Sequence, residues 1–507
     1  MLAGPVPAGH VIAAPAKELA AVPGILRAAE VVGTLAGGWE RVQYDSRAVG
    51  KGDLFVAVKG ARTDGHEFLR AAVEKGAAAA VVERPARDVP VAQVCVGDSR
   101  RALAQLAAEE TGHPSKELVM VGVTGTNGKT TTAHLIRGAL AARGDRVGVI
   151  GTVGYSFEGA EEPAPHTTPE APELSRLLRR WRDRGATAVA MEVSSHALAL
   201  DRTYGVAFDA GVFTNLTQDH LDFHGTLEAY RDAKFRLFRA ETRGDRSKQF
   251  MGVVNMDDPA GRWIREHGDQ PFLGFASKSA AEVTAEDVRF DPAGTRFRVH
   301  TAHGSFSVAL RLRGAFNVMN ALAAFSGSMA VGAPPAAIAA GLESVVSVPG
   351  RLEPVESGQP FQVLVDYAHT PDALERSLEA VRAMRPRRVL CVFGAGGDRD
   401  RGKRPLMGKA AVRGADLVFL TSDNPRSEDP NAILAEIVAG TEGATNVRVI
   451  ADRTEAIRAA VEACQAGDVL LIAGKGHETY QVLSDRTVVL DDRDLARRAL
   501  EARGFRP

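Results

Sequence analysis

The chain has 507 residues, 45% hydrophobic and 25% charged, and its 62 Lys and Arg against 63 Asp and Glu give a formal net charge of -1. That length exceeds what one hydrophobic core serves, and the balanced charge argues against a general nucleic-acid or membrane-surface binder while leaving local positive sites open. Three cysteines, Cys95, Cys391 and Cys464, lie far apart without metal-ligand spacing, which points away from a disulfide framework or zinc site and fits a reducing cytoplasm.

About the first thirty residues, with Pro5, Pro7 and His10, read as a loosely ordered extension. They lack the basic start and apolar core of an export signal, and no later apolar run is long enough to span a bilayer. From about Arg41, strand-like runs at Leu54 to Val58, Ala78 to Val82 and Val91 to Val96 alternate with Ala-rich helical stretches. This predicts a smaller α/β N-terminal domain, closed by the polar break Thr111-Gly112-His113-Pro114-Ser115.

The apolar run Val119, Met120, Val121, Val123 then breaks into Gly125-Thr126-Asn127-Gly128-Lys129-Thr130-Thr131. Strand, glycine-containing loop and helix in that order read as a phosphate-binding loop for ATP or GTP. Small residues let backbone N–H groups approach phosphate, Lys129 neutralises it, and the Thr130 hydroxyl can ligate Mg²⁺. Val123 stands where the usual spacing has its first glycine, so the loop is a variant; the alternative is a plain turn containing a lysine. Ala133, Ile136, Ala139 and Leu140 recur at helical spacing and Gly144 can end the helix.

Further runs at Val147 to Ile150, Ala188 to Met191 and Gly211 to Phe213 continue the alternation. Glu192, in Met191-Glu192-Val193-Ser194-Ser195-His196, and His220, in Thr214 to Gly225, are each expected just past a strand end, where α/β sheets place ligands. Mg²⁺ ligation is one reading of each, and capping or packing the other. Tyr230 to Phe238 reads as an amphipathic helix whose Lys234, among apolar neighbours, is expected to snorkel to solvent.

Val348-Pro349-Gly350-Arg351 makes the second break, after helical stretches at Ala321 to Ala324 and Ile338 to Leu342. Three strands follow, at Phe361 to Val365, Arg388 to Phe393 and Leu417 to Thr421. The whole predicts an α/β fold of three domains: 1–115, a central ATP-binding P-loop domain 116–348 with a mostly parallel sheet, and a Rossmann-like C-terminal domain 349–507. Within the last, Asp423-Asn424-Pro425-Arg426 precedes Asp429-Pro430, an N-cap with proline at N1. A turn starting a helix accounts for everything there except Arg426, which can pair with a carboxylate in bidentate fashion.

The loop Thr124 to Thr131, Glu192 to His196, Asn215 to Gly225, Tyr230 to Phe238, Asn317 to Ala321, Pro349-Gly350-Arg351, Asp366-Tyr367-Ala368-His369-Thr370-Pro371 and Gly474-Lys475-Gly476-His477-Glu478 together resemble the Mur ligases. These are ATP-dependent amide-bond ligases of peptidoglycan precursor synthesis. The agreement runs in order from Asp45-Ser46-Arg47 to Glu478, and within the family it is best with the ligase that adds the third stem-peptide residue to UDP-N-acetylmuramoyl-L-alanyl-D-glutamate.

The resemblance implies roles for individual residues. Tyr44, Ser46, Ala61, Arg62 and Thr63 would contact the uridine nucleotide. His166, Thr167, Thr168, Ser194 and Arg202 would hold the muramoyl peptide, with Leu200 standing where many relatives carry glutamine. Lys234 matches a lysine that the family carbamylates with CO₂; with Thr130, Glu192 and His220 it would bind Mg²⁺. Gly125 to Thr131, Asn317, Arg351 and Asp366 would hold ATP, and Lys129, Glu192, His220 and Lys234 would form the catalytic set. Asp423, Asn424, Pro425 and Arg426 match the sequence that marks enzymes adding meso-diaminopimelate, and Arg399, Gly474 and Glu478 match the remaining contacts to it, with Glu478 suited to its distal ammonium.

The implied reaction activates the D-glutamate γ-carboxylate as an acyl phosphate, which the diaminopimelate amine attacks. The implied partners are small molecules, with neither nucleic acid nor membrane insertion, and a monomer is expected. L-lysine as the added amino acid is the nearest alternative. Folylpolyglutamate synthase fits less well because a full domain precedes the loop, and a P-loop NTPase that makes no bond fits least.

Overall fold

The computed structural model describes residues 17–60, 63–291, 294–441 and 443–506. Ala61 and Arg62, and most of the N-terminal extension, lie outside the described residues.

The phosphate-loop strand, Val119–Thr124, is the hinge of an eleven-stranded sheet. Ala188–Glu192 pairs with it in parallel on one side and Ala210–Phe213 on the other. Val147–Ile150 lies beyond the first, and Met251–Asn255, Phe272–Ala276 and Val283–Asp291 beyond the second, all parallel. From Val119–Thr124 the chain builds Val147–Ile150 and Ala188–Glu192 on one side and then crosses to Ala210–Phe213 on the other, so the carboxyl end of Val119–Thr124 is a topological switch point where a crevice opens. Antiparallel strands extend both edges: Tyr155–Phe157 and Ala160–Glu162 at one, Gly294–Thr301 and Gly304–Leu310 at the other.

Strand alternation sends Val121 and Val123 into one core, beneath the helices Lys129–Arg143, Phe316–Ala330 and Pro335–Ser344, and Met120 into another, beneath Ala171–Asp183. Lys129–Arg143 and Pro335–Ser344 meet backbone to backbone, and a Cβ on Gly138 would lie 2.5 Å from Gly341 O.

Ahead of this sheet, Val42–Gln43, Leu54–Val56, Ala79–Val82 and Gln93–Cys95 form a parallel ladder with Glu30–Val32 antiparallel at its edge. After it, a six-stranded sheet runs Glu353–Pro354, Gln362–Asp366, Val469–Ala473, Val389–Phe393, Leu417–Leu420, Val447–Val449. Only its first pair is antiparallel. The chain-late Val469–Ala473, a strand the sequence analysis did not place, sits between Gln362–Asp366 and Val389–Phe393. No helix among the described residues is long and apolar enough to cross a membrane.

Candidate active site

The switch-point loop is built by steric necessity. Gly125 and Gly128 have φ of 146° and 86°, and a Cβ would overlap Thr214 Oγ1 at the first and Asn320 Oδ1 at the second. The next strand end clamps the loop. Thr126 N–H donates to Asn215 O at 2.8 Å, Asn127 N–H to Asn215 Oδ1 at 2.9 Å, and Thr214 Oγ1 to Asn127 O at 2.7 Å. The Lys129–Arg143 helix begins immediately, and its first N–H groups have no intrahelical partner, so loop and helix together form an anion cradle.

Two lysines share the floor of that cradle. Lys129 Nζ donates to Gly125 O at 2.9 Å and Thr126 O at 2.8 Å, and Lys234 Nζ to Gly125 O at 2.9 Å. Among the described residues no carboxylate lies within 4.0 Å of either amine. Burial lowers the pKa of Lys129, and burial, then the neighbouring Lys129, holds Lys234 well below the ordinary lysine value. The snorkelling expected of Lys234 is therefore wrong: the residue is 1% exposed, with its amine 4.1 Å from the Tyr230 ring centroid. Its Leu227–Phe235 helix packs that face inward, with Tyr230, Ala233 and Phe235 buried beside it.

Glu192 ends its strand buried, Oε1 accepting from Thr152 N–H at 2.9 Å and Oε2 from Thr152 Oγ1 at 3.1 Å. His220 has a left-handed backbone with φ of 54° and its Nε2 is 3.4 Å from Asp219 Oδ2; burial lowers its pKa to about 4, leaving a neutral imidazole at physiological pH. Thr130, Glu192, Asp219, His220 and Lys234 line one cleft of about 540 Å³. Three His, Cys, Asp or Glu side chains do not converge as a ready-made metal site anywhere among the described residues. The oxygen donors Thr130 and Glu192 with one imidazole in the same cleft are a partial donor set for a hard cation, of the kind that phosphate and water oxygens complete.

The C-terminal domain forms the opposite wall. Arg351 Nη2 donates to Thr130 Oγ1 at 3.0 Å, its guanidinium 4.9 Å from the Tyr367 ring centroid. Asn127 Nδ2 reaches Asp372 Oδ2 at 2.9 Å. Asp366, pushed up by burial, accepts from Leu352 N–H, Ala368 N–H and Ser377 Oγ at 2.8, 2.9 and 3.0 Å. Asn317 donates to Arg313 O at 2.6 Å and accepts from Asn320 Nδ2 at 2.9 Å.

Beside the cleft, Thr167 and Ser194 line its edge, and Thr168 Oγ1 donates to Glu192 O at 2.8 Å while accepting from Ser194 N–H at 3.0 Å. Arg202 reaches Thr168 O at 3.2 Å and pairs with Glu170 at 2.8 Å; His166 is exposed. Leu200 contributes its carbonyl, which accepts from Arg100 Nη1 at 3.4 Å. Tyr44, Ser46 and Thr63 stay on the N-terminal domain outside the cleft, although Tyr44 OH reaches Glu173 across the domain junction at 3.4 Å.

The residues expected around diaminopimelate form a second cluster, outside the phosphate cleft. Arg426, with φ of 53°, donates from Nη1 to Gly397 O at 2.7 Å, and Arg399 is exposed on the same loop. Asn424 Nδ2 donates to Glu478 Oε2 at 2.9 Å, while Asp423 lies so close to Gly474 that a Cβ there would be 2.6 Å from its Oδ2. Pro425 is buried between them. Sequence reasoning gave no role to Asp219, Asn320, Asp372 or Lys475; Asp219, Asn320 and Lys475 lie within motifs it quoted, whereas Asp372 is brought in by its contact with Asn127.

Comparison with known proteins agrees along the chain. Residues 40–111 match the model for "Mur ligase family, catalytic domain", 123–327 "Mur ligase middle domain" and 350–476 "Mur ligase, glutamate ligase domain". A UDP-N-acetylmuramoyl-L-alanyl-D-glutamate--2,6-diaminopimelate ligase from Geobacillus thermodenitrificans is 49% identical over 465 residues, 91% of this chain and 95% of that protein. Its counterpart from Geobacillus kaustophilus is 48% identical, with the same coverage of 91% and 95%. A solved structure of a ligase of that name is 33% identical, covers 97% of this chain and 100% of its own, and superposes with a TM-score of 0.69.

Proposed function

The chain belongs to the Mur ligase family, and from that premise we propose how its clefts work. It is an ATP-dependent, ADP-forming ligase that adds meso-2,6-diaminopimelate to the D-glutamate γ-carboxylate of UDP-N-acetylmuramoyl-L-alanyl-D-glutamate, in the cytoplasm and as a monomer. The observation that carries the assignment of the site is the pair of lysine amines, Lys234 buried and Lys129 half-buried, without carboxylate partners among the described residues, under a loop that can only be glycine at two positions.

A carboxylate is a poor acylating agent because its leaving group would be oxide. The γ-carboxylate oxygen attacks the ATP γ-phosphorus, ADP leaves, and the acyl phosphate then loses phosphate to the attacking amine of diaminopimelate. Lys129 and the N–H groups of the cradle stabilise the charge carried through the phosphoryl transfer. Arg351 and Asn317 hold the nucleotide, and Asp366, already engaged by three protein donors, fixes the backbone on which the ribose sits. Thr130, Glu192, His220 and a carbamate on Lys234 would hold Mg²⁺, which supplies charge neutralisation between two anionic reactants. The amine of Lys234 suits that modification, since CO₂ adds to a neutral amine and burial favours the neutral form.

Thr167, Thr168, Ser194 and Arg202 orient the muramoyl peptide, and Tyr44, Ser46 and Thr63 the uridine nucleotide. Arg399 and Arg426 take the distal carboxylate of diaminopimelate, and Glu478 its distal ammonium. The domains divide near 115 and 348, one for each substrate, consistent with separate cores on either side of each limit.

The test is phosphate release by the purified protein with ATP, Mg²⁺ and UDP-N-acetylmuramoyl-L-alanyl-D-glutamate, comparing meso-diaminopimelate with L-lysine and weighing the product by mass spectrometry. Tripeptide formed with diaminopimelate alone is expected. A preference for lysine would overturn the role of Arg426, and phosphate release without tripeptide would overturn the reaction.

A further inference from the structure

Lys475 is completely buried, a costly place for a cation unless it is paired. Its Nζ donates to Asn424 Oδ1 at 3.0 Å and Glu478 Oε2 at 3.3 Å, with Asp423 Oδ1 at 4.0 Å. Asn424 Nδ2 donates to the same Glu478 Oε2 at 2.9 Å. Both protein donors therefore use one carboxylate oxygen, and among the described residues no hydrogen bond engages Glu478 Oε1.

We infer that Lys475 is a positioning residue for the amino-acid pocket: with Asn424 it orients Glu478 as an anion through Oε2 and leaves Oε1 for the distal ammonium of the incoming diamino acid. This rests on the proposed reading of that pocket. The electrostatics around Glu478 agree with the geometry. The charged and titratable groups facing it are Lys475 on its own turn, Asp423 on the neighbouring loop, and Arg453, Tyr367 and Tyr480 from the surrounding elements. Burial raises the Glu478 carboxyl above its ordinary value and Asp423 adds to this, while Lys475 and Asn424 pull it down. Without Lys475, the half-buried Glu478 and buried Asp423 carboxylates would face each other with no cation between them, Glu478 would take a proton at higher pH, and a neutral acid holds an ammonium weakly.

The experiment is steady-state kinetics of the full-length enzyme against pH, with meso-diaminopimelate as the varied substrate. In Lys475→Met the KM for diaminopimelate at neutral pH should rise at least roughly tenfold, kcat at saturation should change little, and the acid-side loss of affinity should begin at higher pH than in the wild type. Lys475→Arg, which keeps the charge, should leave that acid limb in place. Glu478→Gln should abolish the limb, and adding Lys475→Met to it should cost little more. An unmoved limb in folded Lys475→Met, or full additivity in the double variant, overturns the inference. Should Lys475→Met not fold, a displaced limb in Lys475→Arg overturns it and an unchanged one supports it. A wild-type enzyme that does not use diaminopimelate overturns the pocket reading, and this inference with it.

Discussion

Lys129 and Lys234 are one floor of the site seen from two elements, but they differ in what their loss should do. Lys129 sits where the transferred phosphoryl group must pass, so Lys129→Ala should lower kcat by at least about 10²- to 10³-fold. Its amine touches only loop carbonyls, so the thermal midpoint should stay close to the wild type. Ligase turnover and calorimetry on the same preparation check both halves, and substantial activity in the variant would refute the role. The two lysines also show what a single sequence reveals of a site. Lys129 was legible because the chemistry of a phosphate loop is local: glycine, lysine and threonine are neighbours along the chain. Lys234 was not legible from physics, because its burial comes from Gly125 and Tyr230 meeting it in space, and only the family resemblance singled it out.

At the level of elements, the legible strands were those buried on both faces, since a parallel sheet covered by helices demands a continuous apolar run. Val147–Ile150 and Ala188–Glu192 are of this kind. The strands Val283–Asp291 and Gly294–Thr301, near one edge of the large sheet, carry Arg289, Arg296 and Arg298 on exposed positions, and no apolar run betrays them. Equally hidden was the contact between the phosphate-loop helix and Pro335–Ser344, because nothing local distinguishes Gly138 or Gly341 from any helix glycine. Their backbones touch, so a methyl group at either has nowhere to go. Gly341→Ala should raise intrinsic helix propensity yet destabilise the protein by about 1 to 3 kcal/mol through overpacking. A lowered urea midpoint would show this, whereas a raised one would mean the helices separate without cost.

For the whole molecule, the phosphate loop and the C-terminal domain are joined by Arg351 to Thr130 and Asn127 to Asp372, so the histidines around that junction fold into water-poor surroundings. His134, on the phosphate-loop helix, is 7% exposed with its Nδ1 lacking a hydrogen-bond partner, and burial lowers its pKa to about 3. His477, beside Tyr367 on the C-terminal side, is lowered to about 3 by burial and then by Arg351. In the unfolded chain both would titrate near about 6.5. Between those values the unfolded state binds more protons than the folded one, so stability is fully present above about pH 6.5 and falls as the pH drops toward 3. Each fully buried histidine should cost roughly 1 to 2 kcal/mol between pH 7 and 5, and His477, the less buried of the two, should cost less. Urea unfolding at both pH values should therefore give a lower midpoint at pH 5. His134→Gln, which cannot titrate, should narrow the gap, and a gap of undiminished size would place the acid sensitivity elsewhere in the chain.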